Sequence, residues 1–347
     1  MNDSALRIGV AGLGRIGWRF HCKNLAAHSE FELVAVADTD PARVEEARDT
    51  YGCNGYRDFT RMLDANTLDA VVIATPTHLH EAMTLSAFER GLHVLLEKPM
   101  ALDYSQSKHL VEQAEASDLV LTVYQPHRLN CYFQHLKTLI DSGRIGRLTR
   151  VQRGSFSYSR RNDWQSLLKY GGGMLSNYGA HFLDQILQLV GYDITRVCCH
   201  LQRVASLGDA DDVVDVVLET GAGVIGQLLI SQASVIRPYE FVVWGTQGGI
   251  ELSSNQFTIR SFDADALPDK SVDPSLGSRD RKYPSDAMEI EEETVPVDQR
   301  FGIDVFANFA AAVRGEAALA VPPRETLALM EILDRCRESA GGIRSLG

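Results

Sequence analysis

Short apolar runs alternate with amphipathic segments throughout the first 125 residues. Brief apolar runs are typical of strands buried on both faces of a parallel sheet, whereas the intervening segments repeat their apolar positions at helical spacing. The pattern predicts strands at 6–11, 31–37, 69–75, 93–96 and 119–123, and helices at 16–27, 79–90 and 105–117. Strands and helices in this order predict a doubly wound α/β domain.

The pattern changes after residue 125, where longer strand-like segments follow one another and are joined by short glycine-containing turns such as 221–223. Strands are predicted at 148–158, 196–203, 213–220, 224–232, 240–244 and 257–262. The polar, acidic segment 263–293 is interpreted as a solvated surface insertion. Helices at 301–314 and 324–340 close the chain. This half is expected to form an open, mostly antiparallel sheet in an α+β domain.

Length supports two domains, because 347 residues exceed the size at which one hydrophobic core stops growing. We place the boundary near residue 125, which gives a first domain over 1–125 and a second over 126–347. Hydrophobic residues make up 45% and charged residues 23% of the chain, as in ordinary globular proteins. No apolar run reaches the roughly 18 residues that a spanning helix needs, so no membrane association is expected.

Charge and cysteine spacing narrow the classes of partner. The formal net charge is -12, which argues against nucleic acid, since such binding begins with a basic surface. The six cysteines show no CxxC spacing and are interpreted as buried, reduced thiols, and no metal site is expected. The five residues before the first strand leave no room for a signal peptide, so we expect a cytoplasmic protein.

A glycine-rich loop follows the first strand and precedes the first helix, in the sequence Gly12-Leu13-Gly14-Arg15-Ile16-Gly17. In this context the first glycine permits the tight turn and the second allows the pyrophosphate of a dinucleotide to approach the backbone. Asp38 ends the second strand, where a carboxylate accepts hydrogen bonds from both ribose hydroxyls and repels a 2'-phosphate. NAD is therefore favoured over NADP, although Arg43 on the next helix offers partial compensation.

Chemistry is expected at the carboxyl ends of the later strands, where Thr75, Glu97 and Tyr124 fall. Glu97 is followed by Lys98 and Pro99, which places a lysine where a bound nicotinamide presents its reactive face. A lysine and a carboxylate at this position indicate catalysis as well as binding. An ordinary ion pair between Lys98 and Glu97 at a strand end is the alternative.

Four motifs in this order resemble the Gfo/Idh/MocA family of oxidoreductases, the glucose-fructose oxidoreductase and inositol dehydrogenase group. The motifs are the glycine loop, a TPxxxH pattern at 75–80, Glu97-Lys98-Pro99 and the run from Gly171 to His181. The resemblance implies an amino-terminal Rossmann fold that binds NAD and a carboxyl-terminal open sheet with helices on one face. It also implies hydride transfer to or from a sugar, cyclitol or related polyol. The uncovered face of such a sheet predicts a homodimer or homotetramer.

By the same resemblance, His181 is the general acid/base and Lys98 hydrogen-bonds the reacting oxygen. The alternative for His181 is a satisfied histidine in the core. Asn177 lies one helical turn before His181, at a position where relatives often carry aspartate. Because an amide cannot take a proton, His181 is expected to be a weaker base here, and either Lys98 or His181 is the proton carrier.

Further residues are candidates for the same cleft. Pro76 and His80 are expected to shape the cofactor side, with a helix-start role as the alternative. Trp164 is expected to pack on the nicotinamide, and Arg161 to recognise substrate. Arg128 is expected either to reach the substrate or to form an ion pair between the domains.

Three functions are compatible with these residues. The leading hypothesis is an NAD-dependent dehydrogenase that acts on the CH-OH groups of sugars or cyclitols. The second is an NAD-dependent glycosidase with no net redox, which Asn177 keeps open. The third is a dinucleotide-sensing regulatory protein, against which the intact pair of Lys98 and His181 argues. The substrate and the physiological direction are not determined by the sequence.

Overall fold

The first sheet places the glycine loop and the strand ends side by side. The computed structural model describes residues 4–272, 274 and 285–346. Six parallel strands lie in the order β3-β2-β1-β4-β5-β6. Successive strands are added toward one edge from β1 to β3 and toward the other edge from β4 to β6, so the strand order reverses between β1 and β4. The strands are β1 (Leu6–Ala11), β2 (Phe31–Ala37), β3 (Asn54–Tyr56), β4 (Ala70–Ile73), β5 (His93–Glu97) and β6 (Leu121–Tyr124).

Helices cover both faces of this sheet, as its fully buried central strands require. A π-helical turn over Gly17–Cys22 leads into the short helix α1 (Lys23–Ala27). The carboxylate of Asp40 caps the next helix by accepting from the main-chain nitrogen of Ala42 at 2.9 Å, and Gly52 ends it at a φ of +67°. The remaining helices of this half are α2 (Pro41–Tyr51), α3 (Phe59–Ala65), α4 (His80–Phe88) and α5 (Tyr104–Ala116).

The second sheet has nine strands in the order β14-β13-β12-β11-β7-β10-β9-β8-β15. Two pairs, β7 with β10 and β8 with β15, are parallel, and the other neighbours are antiparallel. The strands are β7 (Leu148–Phe156), β8 (Ile194–Arg203), β9 (Val213–Thr220), β10 (Ile225–Ser231), β11 (Phe241–Gly245), β12 (Gly248–Ser253), β13 (Gln256–Ser261), β14 (Glu291–Pro296) and β15 (Ile343–Ser345).

One face of the second sheet is covered by helices. Helix α8 buries its apolar side, which includes Phe182, Leu183 and Ile186, against this face, and the long helix α10 packs beside it. Residues alternate between buried and partly exposed along β9, so its opposite face meets solvent. The helices after residue 125 are α6 (Pro126–Leu129), α7 (Cys131–Asp141), α8 (Ala180–Val190), α9 (Val305–Val313) and α10 (Pro323–Ala340).

The predicted fold class is confirmed, a Rossmann domain followed by an open, mostly antiparallel sheet with helices on one face. Helix α9 returns to the first domain, where Phe306 and Phe309 join the core around Ile8 and Val10. The division at residue 125 therefore describes the two sheets, while the first hydrophobic core also includes α9. Among the described residues, no helix is both long and apolar enough to cross a membrane.

Three sequence interpretations need correction. The acidic end of segment 263–293 is not all insertion, because Glu291–Pro296 forms the exposed edge strand β14, where charged side chains discourage edge-to-edge pairing. Residues 273 and 275–284 of that segment lie outside the described residues. Strand β12 was not predicted, since its paired glycines lack strand character. The short strands β3 and β15 and the helices α3, α6 and α7 were not predicted either. Cys198 is exposed and Cys131 is only partly buried, whereas the other four cysteines are buried.

Candidate active site

Asp38 is held at the glycine loop by main-chain hydrogen bonds. Its Oδ2 accepts from the main-chain nitrogen of Leu13 at 2.7 Å, and its Oδ1 accepts from that of Asp40 at 2.9 Å. Each oxygen retains a lone pair that a ribose hydroxyl can use. The guanidinium of Arg43 lies 3.6 Å from the same carboxylate. The carboxylate is thus oriented for a ribose, and one cation stands beside it.

The three glycines of the loop meet different surroundings. Gly12 has a φ of +91°, and a Cβ there would lie 2.5 Å from the carbonyl oxygen of Ala74. A Cβ on Gly17 would lie 1.8 Å from the carbonyl oxygen of Gly12. A Cβ on Gly14 would meet no protein atom within 4 Å, so open space lies beside this residue. The loop, which also contains Arg15 and Ile16, therefore fits a dinucleotide pyrophosphate at a helix amino terminus.

His80 joins two loops at the carboxyl ends of β4 and β5. Its Nδ1 lies 2.9 Å from the carbonyl oxygen of Pro99, and its Nε2 lies 3.0 Å from that of Thr75. The ring is buried, and this burial lowers the pKa of His80. Pro76 stands at the start of the turn that leads into α4. His80 therefore connects the two loops from inside the protein and does not face the cleft.

Glu97 is paired behind the cleft. Its Oε1 lies 2.9 Å from His21 Nε2, and both side chains are buried. Its Oε2 accepts from the main-chain nitrogen of Lys98 at 3.2 Å. The Lys98-Pro99 peptide is cis. These contacts occupy Glu97 with His21 and leave the Lys98 ammonium free to extend toward the second domain.

Lys98 reaches Asn177 across the domain boundary. Its Nζ donates to Asn177 Oδ1 at 2.6 Å and to the Asn177 carbonyl oxygen at 3.2 Å. The pKa of Lys98 is lowered to about 8, mainly by burial and also by the charges of Arg161 and Arg15, against the opposing effect of Glu97. With an amide as its partner, the ammonium lacks the carboxylate that would hold its proton.

Asn177 also bonds to the loop that carries Trp164. Its Nδ2 donates to Gln165 Oε1 at 3.4 Å, and Arg161 donates to the same oxygen. Arg161 further forms a bidentate pair with Asp163, at 2.7 and 3.1 Å. Much of its donor capacity is therefore used within the loop. Trp164 lies half-exposed in a narrow cleft that Lys98 and Asn177 also line.

His181 is oriented by a residue that the sequence did not single out. Gln125 Nε2 donates to the carbonyl oxygen of Ala180 at 3.1 Å, which leaves its Oε1 as the acceptor for His181 Nδ1 at 2.8 Å. This network assigns the proton to Nδ1 and leaves Nε2 with its lone pair. Gln125 follows β6 directly, but only the tertiary fold brings it against His181.

A second unforeseen residue is His127, whose ring centroid lies 4.5 Å from that of His181. Burial lowers the pKa of His127 to about 4, and the charges of Arg153 and Lys98 act in the same direction. Burial also lowers the pKa of His181 well below its ordinary value, helped by Lys98 and His127. Both rings are therefore neutral at neutral pH, and His181 can accept a proton.

Arg128 is placed in a buried ion pair. Its guanidinium is 2% exposed and binds both carboxylate oxygens of Asp184, with a further bond to Glu325. This ion pair lies wholly within the second domain, so Arg128 forms neither a substrate contact nor the expected pair between the domains. Arg128 braces α6 against α8 and α10, and Asp184 serves the same contact. A substrate role for Arg128 is inconsistent with this burial.

The parts combine into a two-sided cleft. The first domain supplies the glycine loop, Asp38 and Lys98, while helix α8 and the turn before it supply His181 and Asn177. A proton acceptor, a labile ammonium and a dinucleotide loop meet there, which suits hydride transfer at a CH-OH carbon. Within the described residues, no group of three or more His, Cys, Asp or Glu side chains is arranged to hold a metal ion.

This fold and cleft define a two-domain oxidoreductase with a dinucleotide-binding first domain. A model of an oxidoreductase family with an NAD-binding Rossmann fold matches residues 6–125, and the GFO/IDH/MocA C-terminal domain matches residues 133–251. The chain belongs to the GFO/IDH/MocA family of oxidoreductases.

Similar proteins include dehydrogenases of inositols. The chain is 29% identical to scyllo-inositol 2-dehydrogenase (NAD(+)) of Bacillus subtilis over 259 residues, which is 72% of this chain and 74% of the relative. It is 27% identical to myo-inositol 2-dehydrogenase of Thermotoga maritima over 255 residues, 71% and 74% of the two chains. An NAD-binding protein from Listeria innocua shares the fold with a TM-score of 0.82 at 23% identity, over 97% of this chain and 98% of that one.

Proposed function

We propose that this protein is an NAD-dependent dehydrogenase that oxidises a secondary hydroxyl of a cyclitol or sugar, or reduces the matching ketone. The observation that carries the proposal is that a neutral His181, bonded through Nδ1 to Gln125, follows one turn after Asn177, which binds the Lys98 ammonium. Similar proteins named as inositol 2-dehydrogenases support the substrate class.

Two residues divide the proton chemistry. His181 Nε2 takes the hydroxyl proton during oxidation and returns it during reduction, because Gln125 holds the opposite nitrogen as the donor. Lys98 donates a hydrogen bond to the reacting oxygen and stabilises negative charge that develops there. A bound nicotinamide supplies the acceptor or donor for the hydride. Asn177 holds the Lys98 ammonium in place until the substrate oxygen replaces Asn177 as the acceptor of its hydrogen bond.

NAD is the proposed cofactor, and the residues that hold it are those of the first domain. The ribose would meet Asp38, whose carboxylate already accepts from Leu13 and Asp40. The pyrophosphate of NAD would lie at the loop of Gly12, Leu13, Gly14, Arg15 and Ile16, with Thr75, Pro76 and Trp164 along the path to Lys98. Glu97, paired with His21 behind the cleft, would act by supporting Lys98.

A substrate screen tests the proposal. Inositols, aldoses, uronic acids and glycosides are offered with NAD or NADP in separate reactions, and formation of NADH or NADPH is followed by absorbance. We expect turnover with at least one polyol and NAD, and its loss in Lys98→Met and His181→Ala variants that still bind NAD. Absence of dinucleotide binding in calorimetry, or full turnover in the Lys98→Met, His181→Ala double variant, would contradict the proposal.

A further inference from the structure

The helix that carries Asn177 and His181 begins without a capping side chain of its own. It starts as a π-helical turn over Leu175–Gly179 and continues into α8, and Met174 at its amino terminus makes no side-chain cap. The first main-chain N–H groups of a helix need acceptors. Their acceptors here come from Asp211, which is distant in sequence.

Asp211 meets the start of this helix with both its side chain and its backbone. Its Oδ2 accepts from the main-chain nitrogen of Leu175 at 2.8 Å, and its carbonyl oxygen accepts from that of Met174 at 2.9 Å. Asp211 is 5% exposed. Burial raises the pKa of Asp211 to about 6, against the opposing effect of the Leu175 N–H, so the carboxylate is ionised at neutral pH. A negative charge also suits a helix amino terminus.

Gly173 is shaped to admit this carboxylate. Its φ is +107°, and a Cβ there would lie 2.2 Å from Asp211 Oδ1. The main-chain nitrogen of Gly173 donates to the carbonyl oxygen of Gln165 at 2.9 Å, so the same glycine connects the helix start to the Trp164 loop. The last glycine of the run therefore serves packing against Asp211 and Gln165.

The connection between β8 and β9, residues 204–212, also binds the Trp164 loop. The carboxylate of Asp209 accepts from the main-chain nitrogen of Leu168 at 2.8 Å. The main-chain nitrogen of Leu207 donates to the carbonyl oxygen of Arg161 at 2.9 Å. A Cβ on Gly208 would lie 1.8 Å from the carbonyl oxygen of Ser166. One connection thus holds both substrate-side elements of the cleft.

We propose that Asp211 is a positioning residue for the dehydrogenase reaction, which holds the helix start so that Asn177 and His181 meet Lys98 and Gln125 in register. The inference rests on the proposed function. Asp211 touches neither substrate nor cofactor and acts through the main chain of Met174 and Leu175. Because small displacements of reacting groups are costly, its loss reduces turnover more than the loss of an ordinary helix cap.

The test compares Asp211→Ala and Asp211→Asn with a matched cap variant, Asp58→Ala. Asp58 caps α3 in the first domain by accepting from the main-chain nitrogen of Arg61 at 2.8 Å. We expect Asp211→Ala to lower kcat by about tenfold or more with unchanged NAD affinity, and Asp58→Ala to leave kcat unchanged. Asp211→Asn keeps an acceptor oxygen and is expected to restore part of the loss.

Histidine ¹⁵N NMR gives a readout that needs no substrate. In the wild-type protein we expect His181 to be protonated at Nδ1 only, and in Asp211→Ala we expect a mixture of tautomers because the bond to Gln125 is no longer enforced. An unchanged His181 signal together with a kcat loss no larger than that of Asp58→Ala would overturn the inference. If no polyol is turned over by the wild-type protein, the proposed function fails, while the NMR comparison still decides the role of Asp211.

Discussion

The Lys98 ammonium donates to Asn177 Oδ1 at 2.6 Å, so a neutral amide occupies the place of a counter-charge. Gln165 Oε1 accepts from the other end of the same amide and from Arg161. If residue 177 were an aspartate, Gln165 Oε1 would face a carboxylate oxygen in place of the amide donor. Asn177 and Gln165 therefore suit each other, and together they leave Lys98 with a lowered pKa.

Replacing Asn177 by aspartate is expected to raise the pKa of Lys98 from its value of about 8. A carboxylate within hydrogen-bond distance favours the charged form by roughly 1 unit or more. In a plot of kcat against pH, the change in kcat that follows the titration of Lys98 should therefore move to higher pH. The Asn177→Ala variant is the control, since it removes the amide without adding charge. A change in kcat that stays at the same pH in Asn177→Asp would contradict the assignment.

The lowered pKa of Lys98 also predicts how stability depends on pH. The free lysine has a pKa of 10.5 and the folded one about 8, so between these values the unfolded chain binds more protons and stability rises with pH. Lys98→Met should therefore be more stable than the wild type below pH 8, by about 3 kcal/mol, with the difference disappearing toward pH 10.5. Urea unfolding at several pH values measures this, and a constant difference would be inconsistent with it.

Cofactor preference is expected to depend on Asp38 and Arg43. Asp38→Ala removes both ribose contacts. The Arg43 guanidinium, which lies 3.6 Å from the Asp38 carboxylate in the wild type, can then pair with a 2'-phosphate. NAD affinity should fall about tenfold, or ~1.4 kcal/mol, and NADP affinity should rise. Calorimetry with each dinucleotide tests this. The gain in NADP binding should vanish in the Asp38→Ala, Arg43→Ala double variant, and its persistence there would refute the role of Arg43.

Gln125 is expected to control the basicity of His181. Gln125→Glu places a carboxylate on Nδ1, which stabilises the imidazolium and raises the pKa of His181 from its lowered value. The acid limb of the kcat profile should move upward by about 1 unit or more. Gln125→Leu removes the acceptor without charge and should lower kcat with little movement of that limb. Identical profiles in the two variants would contradict this account.

The sequence predicted five of the six strands of the first domain, because these are short apolar runs with motifs at their ends, and missed β3, whose residues Asn54–Tyr56 form no apolar run. Asp38 could be located by its distance from the glycine loop, and Lys98 by its position in the Glu97-Lys98-Pro99 motif at the end of a strand. Gln125 and Asp211 could not, since their partners His181 and Leu175 lie far away in sequence. Strand β12 was missed because Gly248 and Gly249 carry no side chains, and its pairing with β11 and β13 forms only in the sheet.

Trp244 is expected to lie in a contact between copies of this chain. It is 49% exposed on the uncovered side of the second sheet, with the Arg150 guanidinium 5.6 Å from its ring. Trp244→Glu should dissociate the proposed dimer or tetramer, which light scattering during gel filtration measures. Phe20→Glu is the control, because Phe20 is similarly exposed, at 46%, on the first domain. A monomeric wild-type protein would refute the expectation directly.

Arg128 is expected to matter for stability and not for substrate affinity. Arg128→Met leaves Asp184, which is 1% exposed, as an unpaired buried carboxylate. Breaking a buried pair in this way costs about 3–5 kcal/mol, measured as the free energy of unfolding in urea. Arg128→Met combined with Asp184→Leu should recover much of that loss, because the buried carboxylate is gone and the partly exposed Glu325 keeps its bonds from Gln188 and Tyr192. A raised KM in Arg128→Met with unchanged stability would instead return Arg128 to the substrate site.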